Sequence, residues 1–167
     1  LKHLIDKLIS IIVYLSLGYR LKLIVKYSDI GWATVYSKYF LFVNLDKIFI
    51  RHKKSREIIP LSKSPHFIFI KNYHEKKIRT NDYKNYVKQS FNEKDPEKIE
   101  NSFIELYNEI SENIINSASY IETHCFIRDI FINQKFLICD GVHRASIMKV
   151  IGVNEIKVNL VNKIIVK

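Results

Sequence analysis

A chain of 167 residues with 47% hydrophobic and 26% charged side chains can build a real core, which excludes a disordered tail as its class. Its formal net charge of +10 is unevenly spread, since residues 1–90 hold 18 Lys and Arg against 6 Asp and Glu, and residues 91–167 hold 9 against 11. A basic front half points to an anionic partner (nucleotide, phosphorylated sugar, membrane surface or nucleic acid) or to no more than a solvated basic surface.

Leu1, Leu4, Ile5, Leu8, Ile11, Ile12 and Leu15 form a helical stripe over residues 1–17. The run is too short to cross a bilayer and lacks the small-residue site of a secretory leader. It reads either as a helix docked on the domain or as an interfacial helix, with Arg20, Lys22 and Lys26 toward lipid phosphates. Leu21–Tyr27 reads as a strand or as resumed helix, and Ser28–Gly31 as a turn. Tyr39–Val43 and Lys47–Arg51 predict a β-hairpin turned at Asn44-Leu45-Asp46. Trp32, Tyr36, Tyr39, Phe40 and Phe42 crowd this region. Their strand-like alternation assigns them to the core, although aromatics among lysines also stack on bases.

Arg51-His52-Lys53-Lys54 reads as a solvated loop, and Glu57–Leu61 as a strand. Ser62 to His66 then reads as a loop leaving that strand, because Pro65 holds Ser64 extended. Lys63, Ser64 and His66 are a candidate site cluster on it; the plainer reading is a polar turn. Phe67–Ile70 is a short apolar run, and Lys71–Asp82 reads as an exposed loop or lid. Tyr83–Phe91 is helical. Pro96 opens a helix to about Ser117 with Ile99, Phe103, Leu106, Ile110 and Ile114 on its apolar face. Glu97, Glu100, Glu105, Glu109 and Glu112 read as its solvated stripe. Tyr120–His124 leads to two apolar runs, Phe126–Ile132 and Phe136–Cys139, separated by a turn at Asn133-Gln134. Cys125 and Cys139 lie in apolar runs without zinc spacing and read as buried free thiols. The six histidines include no His-x-x-x-His pair, while a Mg²⁺ held by carboxylate beside a nucleotide leaves no such trace.

After Cys139 the apolar period becomes helical, with Ala145, Ile147, Met148 and Ile151, and Gly152 is placed to end the helix. Asp140-Gly141-Val142-His143-Arg144 therefore falls where a strand meets a helix N-terminus. Unpaired N–H groups and the positive end of the helix dipole favour an anion there. Gly141 allows close backbone approach, and His143 and Arg144 add donors. The plainer reading makes Asp140 an N-cap, Gly141 a turn residue and the rest a solvated first turn.

The run Asp140-Gly-Val-His-Arg-Ala-Ser-Ile-Met-Lys-Val-Ile-Gly152, followed by a strand over Glu155–Val161, resembles the signature of the ParB/sulfiredoxin-like domain. The resemblance covers about residues 56–162 and is motif-level only over residues 126–162. It implies a compact α/β (α+β) fold, a mixed sheet with flanking helices, to which residues 1–55 add an N-terminal helix and β-hairpin packed on the domain of residues 56–167. It also implies a nucleotide-phosphate site at Gly141, Val142, His143 and Arg144. Val142 stands where sulfiredoxins carry their catalytic Cys, so repair of a sulfinylated cysteine is not expected. No helix-turn-helix region of the ParB kind follows the last strand in this sequence, so sequence-specific DNA binding is not expected either. The Asp140 form of the motif is most similar to the free-serine-kinase-like members.

The expected function is thus phosphoryl transfer from ATP or ADP to a small hydroxyl-bearing metabolite. Lys63, Ser64 and the phosphate loop would bind nucleotide, and Asp140 would hold Mg²⁺. His66 is the first choice of base among His66, Glu57, Glu122 and Asp129, with Asp140 and His143 the other catalytic candidates. The resemblance also implies a companion of surface-polysaccharide synthesis; the expected location is cytoplasmic, with the stripe over residues 1–17 giving peripheral membrane contact if it is interfacial. The alternative is a nucleotide-binding module that hydrolyses slowly or not at all and docks a nucleic acid or a membrane.

Overall fold

The computed structural model describes residues 20–24, 31–53, 55–91, 95–112, 121–124, 135–138 and 140–166. The helix expected over residues 1–17, the run Phe126–Ile132, the turn at Asn133-Gln134, Cys125, Cys139 and Asp129 lie outside them.

The fold is α+β. Strands β1 (Arg20–Ile24), β2 (Gly31–Asn44), β3 (Ile48–Arg51), β4 (Ile58–Pro60), β5 (Ile121–His124), β6 (Phe136–Ile138) and β7 (Glu155–Val166) form one mixed sheet. Its order is β1-β2-β7-β5-β6-β3-β4, with β3–β6 and β5–β7 parallel and the other pairs antiparallel. Helices α1 (Pro65–Lys76), α2 (Asn81–Phe91), α3 (Pro96–Glu112) and α4 (Val142–Val150) belong with it. Among the described residues no helix is long and apolar enough to cross a membrane.

The expected hairpin of residues 39–51 does not form. A short 3-10 turn at Leu45–Lys47, capped by Asn44 Oδ1 accepting from the Asp46 N–H at 2.8 Å, redirects the chain. As a result β2 runs along β7 while β3 pairs with β6 and β4, with three strands between β2 and β3. The true hairpin is β3–β4, and the basic run Arg51–Lys53 starts its turn. Residues 48–51 are therefore a strand within the sheet and not part of an extension packed upon it. Residues 20–24 are strand.

The expected loop and lid over residues 62–82 are mostly helix. Ser64 Oγ accepts from the Phe67 N–H at 3.0 Å and Pro65 occupies the first helical position, two start signals that nucleate α1. The helix runs through Lys71–Lys76 and stops at Lys77, which is left-handed at φ 55°. Asp95 Oδ1 accepts from the Lys98 N–H at 3.1 Å ahead of α3.

The core fills from both layers. Leu45, Ile48, Ile50, Ile138 and Val158 of the sheet meet Phe69, Ile70, Phe103, Ala145 and Ile147 of the helices. α4 lies against α1 and α3 and reaches β5, so its N-terminus opens among the other helices.

Candidate functional site

The strand-to-helix junction at Asp140 is open. Gly141 is the N-cap of α4 at φ 81°, a conformation suited to glycine, and no side chain caps the helix. Asp140 is therefore not the N-cap; its Oδ1 accepts from the adjacent Gly141 N–H at 2.7 Å, and its carboxylate stays exposed. The junction lines a pocket of about 480 Å³ with Lys53, His66, Tyr83, Val87, Ile99 and Leu106. That volume is in the range of small-molecule sites.

The pocket joins three pieces of chain that are far apart in sequence: the β3–β4 turn through Lys53, the first turn of α1 through His66, and residues 140–144. His66 is 4% exposed because α1 begins at Pro65 and turns the ring inward. Its ring lies edge-on to His143, Tyr83 and Tyr86, at centroid distances of 5.1, 5.6 and 5.3 Å, and its Nδ1 has no hydrogen-bond partner. His143 rests on Phe103 at 4.2 Å, and its Nε2 shares a 2.8 Å hydrogen bond with the Tyr83 hydroxyl. Tyr83 is itself clamped, stacking on Phe69 at 4.6 Å.

Burial sets the electrostatics. It pushes His66 down from 6.5 to about 3, helped by the neighbouring His143 and His52. Burial likewise pushes His143 down to about 4, against the pull of Asp140. Burial and then the nearby Tyr86 and Glu100 push the Tyr83 phenol up, so it stays protonated. Both imidazoles are neutral near pH 7. Positive charge at the pocket comes from Lys53 and Arg144.

The sequence-predicted residues separate on this geometry. Gly141, Val142, His143, Arg144, Asp140 and His66 come together at one pocket. Lys63 is exposed and does not line it. Ser64 is fully buried and occupied as the cap of α1. Glu57 is exposed and accepts from Ser55 Oγ at 3.1 Å, away from the pocket. Glu122 is placed only by its backbone, in β5. Asp140 alone does not enclose a metal, and among the described residues no three His, Cys, Asp or Glu cluster as a metal cage. A single exposed carboxylate is the kind of oxygen ligand that Mg²⁺ takes from a protein.

Lys53 and Tyr83 line the pocket and are not among the residues the sequence points to. Glu100, expected on a solvated stripe, is fully buried, with Arg79 Nη1 3.7 Å from its Oε1 and no hydrogen bond to either oxygen. Its signal was present: Glu100, Phe103, Ile104 and Tyr107 recur at helical spacing and are the buried face of α3. Compared with known proteins, the chain matches no family model, no curated protein and no solved structure.

Proposed function

We propose that the pocket at the head of α4 binds the phosphates of ATP or ADP and directs a phosphoryl group to a small hydroxyl-bearing acceptor. The observation that carries this reading is the bare start of α4. Gly141 is left-handed, no side chain caps the helix, and Arg144 and Lys53 border the same cavity. The resemblance of residues 140–152 to the ParB/sulfiredoxin-like motif supports the choice of nucleotide as ligand.

In this mechanism the α4 N–H groups and the Arg144 guanidinium hold the transferred phosphate. Asp140 is the carboxylate that would hold Mg²⁺, and the ion would supply charge neutralisation at the phosphate oxygens. The acceptor hydroxyl forms the new P–O bond as the bond to the departing nucleotide breaks. His66, which lines the pocket and whose buried Nδ1 carries no hydrogen bond, is the proposed base for the hydroxyl proton. A phosphate dianion nearby raises its basicity by opposite charge.

The weak basicity of His66, about 3, favours a second reading in which the same site binds nucleotide without transfer. Calorimetric titration of ATP and ADP with Mg²⁺ tests binding. Arg144→Ala is expected to weaken it about ten- to a hundredfold through loss of a charge-assisted contact. No nucleotide binding by the parent, or equal binding by the variant, refutes the phosphate site. Binding without phosphoryl transfer to any hydroxyl metabolite selects the second reading.

A further inference from the structure

Tyr83 is a core residue, 1% exposed, whose hydroxyl ends at the ring of a pocket residue. Its own ring stacks on Phe69 at 4.6 Å and leans on Phe103 at 5.6 Å, and both neighbours are buried. Packed in this way the phenol has no room to swing, and its oxygen is held 2.8 Å from His143 Nε2.

What each partner can offer assigns the proton in that bond. The phenol is protonated, because burial pushes its ionisation up. A buried O–H needs an acceptor, and among the described residues its hydrogen-bond partner is His143 Nε2. Were Nε2 to donate instead, the Tyr83 O–H would be buried with nothing to accept it. Tyr83 therefore donates and Nε2 accepts. A neutral imidazole carries one N–H, so the proton of His143 sits on Nδ1. The ring's contacts with Phe103 and His66, at 4.2 and 5.1 Å between centroids, are aromatic packing. His143 lines the pocket beside the uncapped start of α4.

We propose that Tyr83 is a positioning residue that fixes His143 as its Nδ1–H tautomer and so makes it a hydrogen-bond donor to a phosphate oxygen at the head of α4, a role that rests on the reading of this pocket as a phosphate site. A neutral N–H adds to the α4 N–H groups without placing on a buried ring a charge it would have to desolvate. The same bond occupies the lone pair of Nε2, so His143 does not serve as a base. Donor and base are thereby divided between the two imidazoles, with the proton-accepting part left to His66.

The test is long-range correlation of ring protons with ring nitrogens by NMR on the full chain at pH 7, first without ligand. His143 is expected as a single Nδ1–H tautomer in the parent and as a mixture of tautomers in Tyr83→Phe. Adding ADP with Mg²⁺ is expected to move the Nδ1–H signal of the parent. By calorimetry, Tyr83→Phe is expected to bind ADP roughly two- to tenfold more weakly, the worth of one neutral hydrogen bond. A purely structural Tyr83 would lower the melting temperature on substitution and leave the tautomer alone. The proposal is overturned if the parent carries the His143 proton on Nε2, a measurement that needs no variant to fold. It is equally overturned if Tyr83→Phe keeps the parent's single tautomer, or if ADP binds and the Nδ1–H signal does not move. A parent that shows the locked tautomer and binds no ADP refutes the phosphate site while supporting the lock, so the two failures are told apart.

Discussion

The two buried imidazoles make stability fall on mild acidification, and His66→Leu tests this. His66 and His143 are held at about 3 and about 4 against an ordinary 6.5. In that window the unfolded chain binds protons that the folded chain refuses. The pair's stabilising effect is therefore complete above pH 6.5 and is lost as pH falls toward 4 and then 3. Between pH 7 and pH 5 a histidine with so low a folded value costs about 2 kcal/mol of stability, so the pair costs about 4 kcal/mol. Leucine is apolar, does not titrate and leaves no polar atom where His66 Nδ1 has no partner. Urea unfolding at pH 7 and pH 5 should show the parent losing about 2 kcal/mol more than the variant across the interval. Taking this difference of differences cancels any constant packing cost of the substitution. An equal loss in parent and variant would refute the buried neutral imidazole as the source.

Tyr83→Phe should leave His143 Nε2 without its 2.8 Å partner and cost about 1–3 kcal/mol, read as a fall in Tm of roughly 2–4 °C per kcal/mol. Glu100→Leu should leave stability unchanged or raise it, whereas Arg79→Ala should lower it, because that change strips the buried carboxylate of the guanidinium 3.7 Å away; denaturant midpoints of the two variants decide. Ser64→Ala should cost about 1 kcal/mol by removing the cap of α1, measured the same way. Asp140→Asn keeps an oxygen for the Gly141 N–H, so the fold should persist while Mg²⁺-dependent transfer falls; unchanged turnover would remove Asp140 from the metal site.

Features coded within a few neighbouring residues were legible without the structure. Pro96 marks the start of α3, and the shift of apolar period after Cys139 marks α4. Gly152, at φ 86°, ends that helix where its position suggested. The candidate phosphate loop 140–144 was legible for the same reason: a strand, a glycine and a helix N-terminus are adjacent in sequence. Ser64-Pro65 carried an equally local helix signal. It reads as a loop because Pro65 holds Ser64 extended, and an extended Ser64 is equally the backbone of an N-cap, the role it has here.

Pairing across distance was decided only by the tertiary structure. Residues 39–51 have the alternation of a hairpin, but alternation says nothing about which strand lies alongside, and β7, more than a hundred residues on, takes β2. The charge of Glu100 suggested solvent, whereas its phase on α3 placed it in the core beneath Arg79. Phe42 is the converse, apolar by type yet exposed, because it points to the opposite face of β2 from the buried Val43. His66 and His143 lie 77 positions apart, and only the packing of α1 against α4 brings their rings to 5.1 Å and removes the water that would let them charge. The sequence by itself thus determined where α3 and α4 begin and which loop could face an anion. Burial, and with it every shifted ionisation at the site, arose from long-range packing that no local pattern encodes.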